Sequence, residues 1–113
     1  MKTITVSALL LGASLTAGAA RAAEIAGAIN PNGSRQAASP AYHVSHPGIG
    51  HYIITFTTAF AKPYASCLFM PVGSFSAVSG LIETTKSCDV TFVNSSGKPA
   101  NVLFNFLAVP TTD

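Results

Sequence analysis

The stretch YHVSHPGIGHYIITF, residues 42–56, decides how the fold is predicted. It contains two runs of β-branched and aromatic residues, and the turn cluster PGIG separates them. In the second run, large apolar side chains occupy alternate positions, at Tyr52, Ile54 and Phe56, and only Ile53 interrupts the alternation. A period of two is typical of a half-buried strand. The stretch therefore predicts a β-hairpin.

The rest of the chain continues this pattern of short strands and turns. A first strand is predicted at 24–29, and the loop NPNGSRQAASP follows it. Further strands are predicted at 42–46, 51–57, 66–72, 77–84, 88–94 and 101–109. No helical periodicity of useful length appears beyond residue 22. Strands at this spacing indicate an antiparallel sandwich or small barrel. We predict a single-domain, all-β, jelly-roll-like antiparallel sandwich of about seven strands.

The last predicted strand is apolar on most of both faces. Phe104 and Phe106 point to one side, and Leu103 and Leu107 point to the other. A two-layer sandwich has one inner face per sheet, so the second face needs a separate cover. Leaving both leucines in water would forfeit roughly 3 to 5 kcal/mol per chain. We therefore predict that Leu103 and Leu107 lie in an interface between subunits.

Residues 1–22 have the pattern of a cleaved signal peptide. Lys2 precedes an apolar run rich in small residues, and Ala20-Arg21-Ala22 matches the small-x-small cleavage rule. The run is short for a permanent membrane span of about 20 residues. We predict cleavage before Ala23, a folded domain at 23–113, a secreted or periplasmic location and no membrane insertion.

Charge and cysteine usage narrow the range of functions. Beyond the signal peptide, the basic and acidic side chains balance at four each. A neutral surface offers no electrostatic footprint for nucleic acid, so no nucleic-acid partner is predicted. Cys67 and Cys88 are the only cysteines. In an oxidising compartment they predict a disulfide bond, with two buried thiols as the alternative.

The three histidines of the opening stretch raise the question of a metal site. The simplest hairpin register pairs Val44 with Tyr52, which places His43 and His51 diagonally on the outer face and His46 on the other side. A catalytic zinc needs three protein ligands. No acidic residue lies between positions 24 and 83 to supply the third. We therefore predict neither a metal site nor any other cofactor.

Enzyme motifs are missing from the sequence as well. No G-x-S-x-G pattern occurs, and Glu83 and Asp89 flank a turn, where solvated charges are common. The remaining candidates for a functional role are two aromatic residues near loops, Tyr64 and Phe75. Such side chains can stack on a sugar ring, so we predict them as glycan-binding residues.

The chain resembles small β-sandwich modules of bacterial secreted proteins and of the C-terminal regions of phage tail fibres, which are loosely similar to C1q- and tumour-necrosis-factor-like jelly rolls. The pattern covers most of the chain and comprises Gly27, Asn32-Gly33, Tyr42, Val44, Gly50, Tyr52, Ile54, Phe56, Phe60, Pro63, Ser96-Gly97 and Phe104-Asn105-Phe106. These are turn glycines and core aromatics. The resemblance implies surface binding and assembly into a homotrimer, and it implies no catalytic residues.

We therefore expect a secreted, non-enzymatic binding or structural module that recognises a surface glycan or protein ligand. A small lectin-like protein is the alternative within binding functions. A small secreted hydrolase is the alternative from another class, and it requires a concave site in which a histidine lies beside a serine.

Overall fold

The computed structural model describes residues 24–73 and 76–111. The predicted signal peptide at 1–22 and the predicted binding residue Phe75 lie outside these residues. The described chain forms seven β-strands, which are β1 (Ile25–Ile29), β2 (Tyr42–Gly48), β3 (His51–Phe56), β4 (Ala65–Pro71), β5 (Ala77–Glu83), β6 (Ser87–Val93) and β7 (Phe104–Pro110).

The strands form two antiparallel sheets. Sheet A has the order β1-β7-β4, and sheet B has the order β2-β3-β6-β5. Every paired strand runs antiparallel to its neighbour. Within the described residues no helix occurs. The predicted all-β antiparallel sandwich with about seven strands is confirmed.

The two sheets are joined by a pair of neighbouring crossings. β3 pairs with β6 in sheet B, and the strands that follow them, β4 and β7, pair with each other in sheet A. The connections from β3 to β4 and from β6 to β7 therefore cross from sheet B to sheet A beside each other. Between these two crossings the chain returns to sheet B as β5. This arrangement brings the inner faces of both sheets together.

The core fills the space between the sheets with alternate residues of each strand. Along β6, Cys88, Val90 and Phe92 are buried, as the alternation of the sequence predicts. The described residues place no polar or charged side chain among the fully buried ones. Phe92 and Phe104 pack with ring centroids 4.8 Å apart, within the range at which aromatic pairs attract each other.

A disulfide bond joins the two sheets and confirms the predicted pairing. It links Cys67 of β4 to Cys88 of β6, with the Cα atoms 6.5 Å apart. The cysteines are 21 positions apart in sequence. On the chain-entropy model, a loop of this length contributes about 3 kcal/mol to the free energy of unfolding. Disulfides persist in oxidising environments, so the bond is compatible with an extracellular location.

The predicted hairpin of β2 and β3 is present, but its predicted register is wrong. Val44 lies opposite Ile54 rather than Tyr52, and the neighbouring pairs shift by the same two residues. The cause is the turn, which places Gly48 opposite His51 and shifts the register by three residues, and a bulge just before Gly48 takes one of them back. A shift of two residues leaves every side chain on its predicted face, so the core pattern is preserved.

Candidate functional site

The three histidines of the hairpin serve separate roles. His46 stacks on the buried Tyr52 ring, with centroids 4.4 Å apart, and its Nδ1 hydrogen-bonds to the carbonyl oxygen of His51 at 2.9 Å. His43 lies opposite Thr55, four positions along β3 from His51. Four strand residues span about 13 Å. The predicted diagonal proximity of His43 and His51 is therefore wrong, and the two rings are too far apart to bind one metal ion.

The His51 ring forms its own polar contact on the outer face of sheet B. Its Nε2 donates to Oδ1 of Asp89 on β6 over 2.7 Å, and about a third of each side chain remains exposed. Asp89 is therefore paired rather than a solvated loop-end charge, which corrects the expectation from sequence. A half-exposed pair of this kind adds little to stability. Across 24–73 and 76–111, no three His, Cys, Asp or Glu side chains are grouped so that they could hold a metal ion.

The predicted glycan-binding residue Tyr64 lies immediately before β4 and is 40% exposed. Its backbone carbonyl accepts a hydrogen bond from the Thr111 hydroxyl at 2.7 Å, which ties this loop to the chain that follows β7. Neither of the two described pockets is lined by Tyr64. The aromatic side chain is thus available to solvent, but it lies outside the concave surfaces described below.

The most prominent surface is the outer side of sheet A. Ala26, Leu107 and Leu68 lie directly opposite one another on β1, β7 and β4, and Met70 lies in the next row. We call these four residues the apolar face. Leu68 is 61% exposed and Met70 is 64% exposed. The four residues line a depression of about 690 Å³. The sequences of β1, β4 and β7 contain no charged residue, so the strands place no charge on this surface.

Of the two predicted interface residues, Leu107 lies on the apolar face and Leu103 lies outside it. Leu107 lines the depression on the apolar face and is half-buried. Leu103 lies just before β7, where its carbonyl oxygen accepts a hydrogen bond from the Val72 amide at 2.8 Å. It is also half-buried, but it does not line the depression.

Sequence reasoning missed Leu68 and Met70, the two large exposed side chains of the apolar face. Both lie in the continuous apolar run CLFMPV, which has no alternation to show which side each residue faces. The signal that was present is the disulfide. Cys88 continues an inward-facing pattern, so a bond to it turns Cys67 inward and, with a period of two, turns Leu68 and Met70 outward.

A second concave surface lies beside β2. Its lining residues are Gly33, Ser34, Arg35, Ala38, His43 and Val44, and its volume is about 380 Å³. We call it the loop cavity, because residues 33–38 belong to the loop between β1 and β2. The loop is anchored to the edge of β1, where Ile29 bridges to Arg35 and the Gln36 amide donates to the Ala28 carbonyl at 2.9 Å.

The Arg35 side chain ties the loop that forms the cavity to the first residue of β2. Its Nη1 donates to the backbone carbonyl oxygens of Ser39 and Tyr42, the latter at 2.8 Å. Its guanidinium carbon lies 5.7 Å from the centroid of the Tyr42 ring, within cation–π range. Burial raises the pKa of the Tyr42 phenol above its ordinary value, and the nearby Arg35 charge opposes that rise. The guanidinium is thus fixed in position by groups of the chain itself.

The loop cavity contains the serine and histidine that a hydrolase would require, but their polar atoms are used differently. The Ser34 hydroxyl donates to Oδ1 of Asn32 at 2.7 Å and accepts from Nδ2 of Asn30 at 2.9 Å. Among the hydrogen bonds of residues 24–73 and 76–111, none joins a serine hydroxyl to a histidine ring. A serine nucleophile needs that contact with its base, so this geometry gives the hydrolase alternative no support.

No helix formed by the described residues is long and apolar enough to cross a membrane. Comparison of the chain with protein-family models, with curated proteins and with solved structures gives no match.

Proposed function

We propose that the protein is a secreted, non-enzymatic binding and structural module that works by burying its apolar face against further copies of the same chain. The observation that carries the proposal is the exposure of Leu68 and Met70, which are 61% and 64% exposed on β4, in a sheet whose strands contain no charged residue. Large apolar patches on a soluble domain mark sites of association.

Burial of these side chains supplies a driving force of useful size. Covering the exposed parts of Leu68 and Met70 would contribute about 1 to 2 kcal/mol for each side chain. Leu107 and Ala26 lie in the same row of the sheet as Leu68 and extend the contact across β7 to β1. The surface is therefore continuous across all three strands of sheet A.

A second copy of the chain is the partner best matched to this surface. The strands of sheet A carry no charged side chain, so two such surfaces can meet without removing a charge from water. Burial of unpaired charges is the main penalty that an ill-matched partner would add. The resemblance to trimer-forming jelly-roll modules favours closure around a threefold axis, so we propose a homotrimer.

The proposed location is outside the cytoplasm, in the periplasm or beyond the cell. Its support is the disulfide between Cys67 and Cys88 together with the signal-peptide pattern of residues 1–22. Disulfides are rare in reducing compartments.

The test is the oligomeric state of the purified domain, residues 23–113, and of a variant in which Leu68→Glu places a charge on the apolar face. We expect the unmodified domain to sediment as a trimer at micromolar concentration. The variant should sediment as a folded monomer, because association would bury an unpaired carboxylate at a cost of several kcal/mol.

The matched control is Ile49→Glu, which makes the same chemical change at the tip of the β2–β3 hairpin, where Ile49 is 67% exposed. This variant should remain a trimer. A monomeric unmodified domain contradicts the proposal. Equal association by the Leu68→Glu and Ile49→Glu variants would show that another surface holds the subunits together. Circular dichroism of both variants checks that each retains its β-structure.

A further inference from the structure

We propose that the loop cavity is a binding site for a small anionic group, a carboxylate or a sulfate, carried by a ligand of sugar size. This site goes beyond the proposed self-association. It shares no lining residue with the apolar face, since the loop cavity is formed by residues 33–38 and by His43 and Val44 of β2.

The loop cavity has the size and the lining of a small-molecule site. Its volume of about 380 Å³ falls at the lower end of the range typical of small-molecule sites. Ala38 and Val44 give it apolar wall, and Ser34, Arg35 and His43 give it hydrogen-bonding groups. A few polar groups converging in a partly apolar pocket is the usual pattern of a site that fixes the orientation of its ligand.

The charge at the loop cavity is positive. Between Glu24 and Glu83 the sequence contains no acidic residue, and its only fully charged side chains are Arg35 and Lys62. Arg35 lines the loop cavity, and the His43 imidazole beside it is a second nitrogen donor. No carboxylate lines the loop cavity to compete for these donors. The local charge therefore favours an anion over a cation or a neutral ligand.

The Arg35 guanidinium is fixed in position by backbone carbonyl oxygens. Nη1 is occupied by the carbonyl oxygens of Ser39 and Tyr42, which hold the group in place. Within the described part of the chain, Nε and Nη2 have no hydrogen-bond partner. An arginine presents its donors as a rigid fork that matches carboxylate and sulfate geometry. Because the protein already fixes the fork, a ligand would lose little entropy in ordering it.

Residues 33 and 34 of the loop, which also line the loop cavity, are held by hydrogen bonds within the loop. Ser34 is held by Asn30 and Asn32, and the Gly33 amide donates to the Asn30 carbonyl at 2.8 Å. His43 lines the loop cavity and is exposed, so its imidazole can donate to a second oxygen of the same anion. A uronic acid or a sulfated sugar has the matching size and an anionic group to offer.

The experiment is an amide NMR titration of the purified domain, residues 23–113, with sodium glucuronate, glucose and sodium sulfate. Glucuronate and glucose share a ring and differ in the carboxylate, whereas sulfate supplies the anion alone. We expect shifts of the amides of residues 33–35 and 43–44 with glucuronate and no shifts with glucose. Sulfate alone should shift the same amides if the site takes sulfated groups, and it should leave them unchanged if the site is specific for carboxylates.

Three variants separate the site from a general charge effect. His43→Ala removes an exposed hydrogen-bond donor and should weaken glucuronate binding about tenfold to a hundredfold, the usual loss for a hydrogen bond to a charged group. Arg35→Lys keeps the charge but removes the fork, and it should weaken binding at least as much. The matched control Lys62→Gln removes a positive charge elsewhere and should bind as the unmodified domain does.

Two outcomes would overturn the proposal. One is equal shifts with glucuronate and glucose. The other is an unchanged affinity in His43→Ala, a result that does not depend on how well the Arg35→Lys variant folds. The Leu68→Glu variant should bind glucuronate normally, so loss of self-association and loss of anion binding can be told apart.

Discussion

Gly27 shows how a single residue determines the packing between the sheets. It lies in β1, and a Cβ atom built on it would be 2.2 Å from the Tyr42 hydroxyl and 2.9 Å from Cε1 of Phe106. The Tyr42 ring therefore rests directly on the β1 backbone, and it also packs edge-on against Phe106 with centroids 5.0 Å apart. Glycine is required here because the two sheets approach too closely for any side chain.

We expect Gly27→Ala to lower the free energy of unfolding by about 1 to 3 kcal/mol, because the added methyl group overpacks a filled core. The matched control is Gly80→Ala on β5, where an added Cβ meets no atom within 4 Å. That variant should be neutral or slightly stabilising, since alanine loses less conformational entropy than glycine. Urea unfolding of both variants checks this, and equal losses in the two would contradict the packing explanation.

At the scale of the strand, the sequence predicted the sandwich well because most strands have one buried face. β3, β6 and β7 alternate clearly, so their inward residues could be named in advance. β4 could not be oriented, because Leu68, Phe69 and Met70 are all apolar while only Phe69 packs against the core. An outer face made of apolar residues removes the contrast on which such a prediction depends.

The candidate sites were harder to predict than the fold, for two physical reasons. The position of the turn between β2 and β3 is not encoded by the pattern of apolar residues, and it separates His43 from His51. The loop cavity depends on the fold of residues 30–39, which have no periodicity at all. Arg35 and His43 come together only because the loop is anchored to β1 while His43 lies on β2.

Glu83 protects an edge of sheet A. It belongs to β5, yet its Oε2 accepts a hydrogen bond from the Cys67 amide of β4 at 2.7 Å. β4 is an edge strand, so this amide faces away from β7 and has no strand partner on that side. The carboxylate satisfies the amide and ties the edges of the two sheets together beside the disulfide. It was expected to be a solvated loop-end charge, and that expectation is wrong.

We expect Glu83→Ala to lower the free energy of unfolding by about 1 to 3 kcal/mol, because it leaves the Cys67 amide without its acceptor. Glu83→Gln keeps an acceptor oxygen at the same distance along the side chain and should recover at least half of that loss. Thermal and urea unfolding measure both variants. Equal destabilisation by alanine and glutamine would mean that the charge, rather than the hydrogen bond, is what matters.

Across the whole molecule, the disulfide is a covalent cross-link that adds to the chain connections between the sheets. The hydrophobic contacts hold the inner faces together, whereas the bond from Cys67 to Cys88 restricts the unfolded chain. For a small domain whose total stability is about 5 to 15 kcal/mol, a contribution of about 3 kcal/mol is a large share.

We expect the double variant Cys67→Ala, Cys88→Ala to lose about 3 kcal/mol of unfolding free energy while it retains its β-structure. Reduction of the unmodified domain by dithiothreitol should produce a similar loss and serves as the control for cavities left by the substitutions. Denaturant unfolding monitored by circular dichroism gives both values. Unchanged stability in the reduced domain would contradict the entropic role of the bond.

The position of β7 has a consequence for the synthesis of the protein. β7 is the middle strand of sheet A, and both of its neighbours in that sheet, β1 and β4, depend on it for pairing. Sheet B needs only residues 42–93, so its strands can pair while the ribosome is still translating. β1 must instead wait for residues 104–110, and until then sheet A cannot assemble over the inner face of sheet B. A premature stop codon ahead of Phe104 would therefore remove one of the seven strands of the described chain and, with it, every pairing of sheet A.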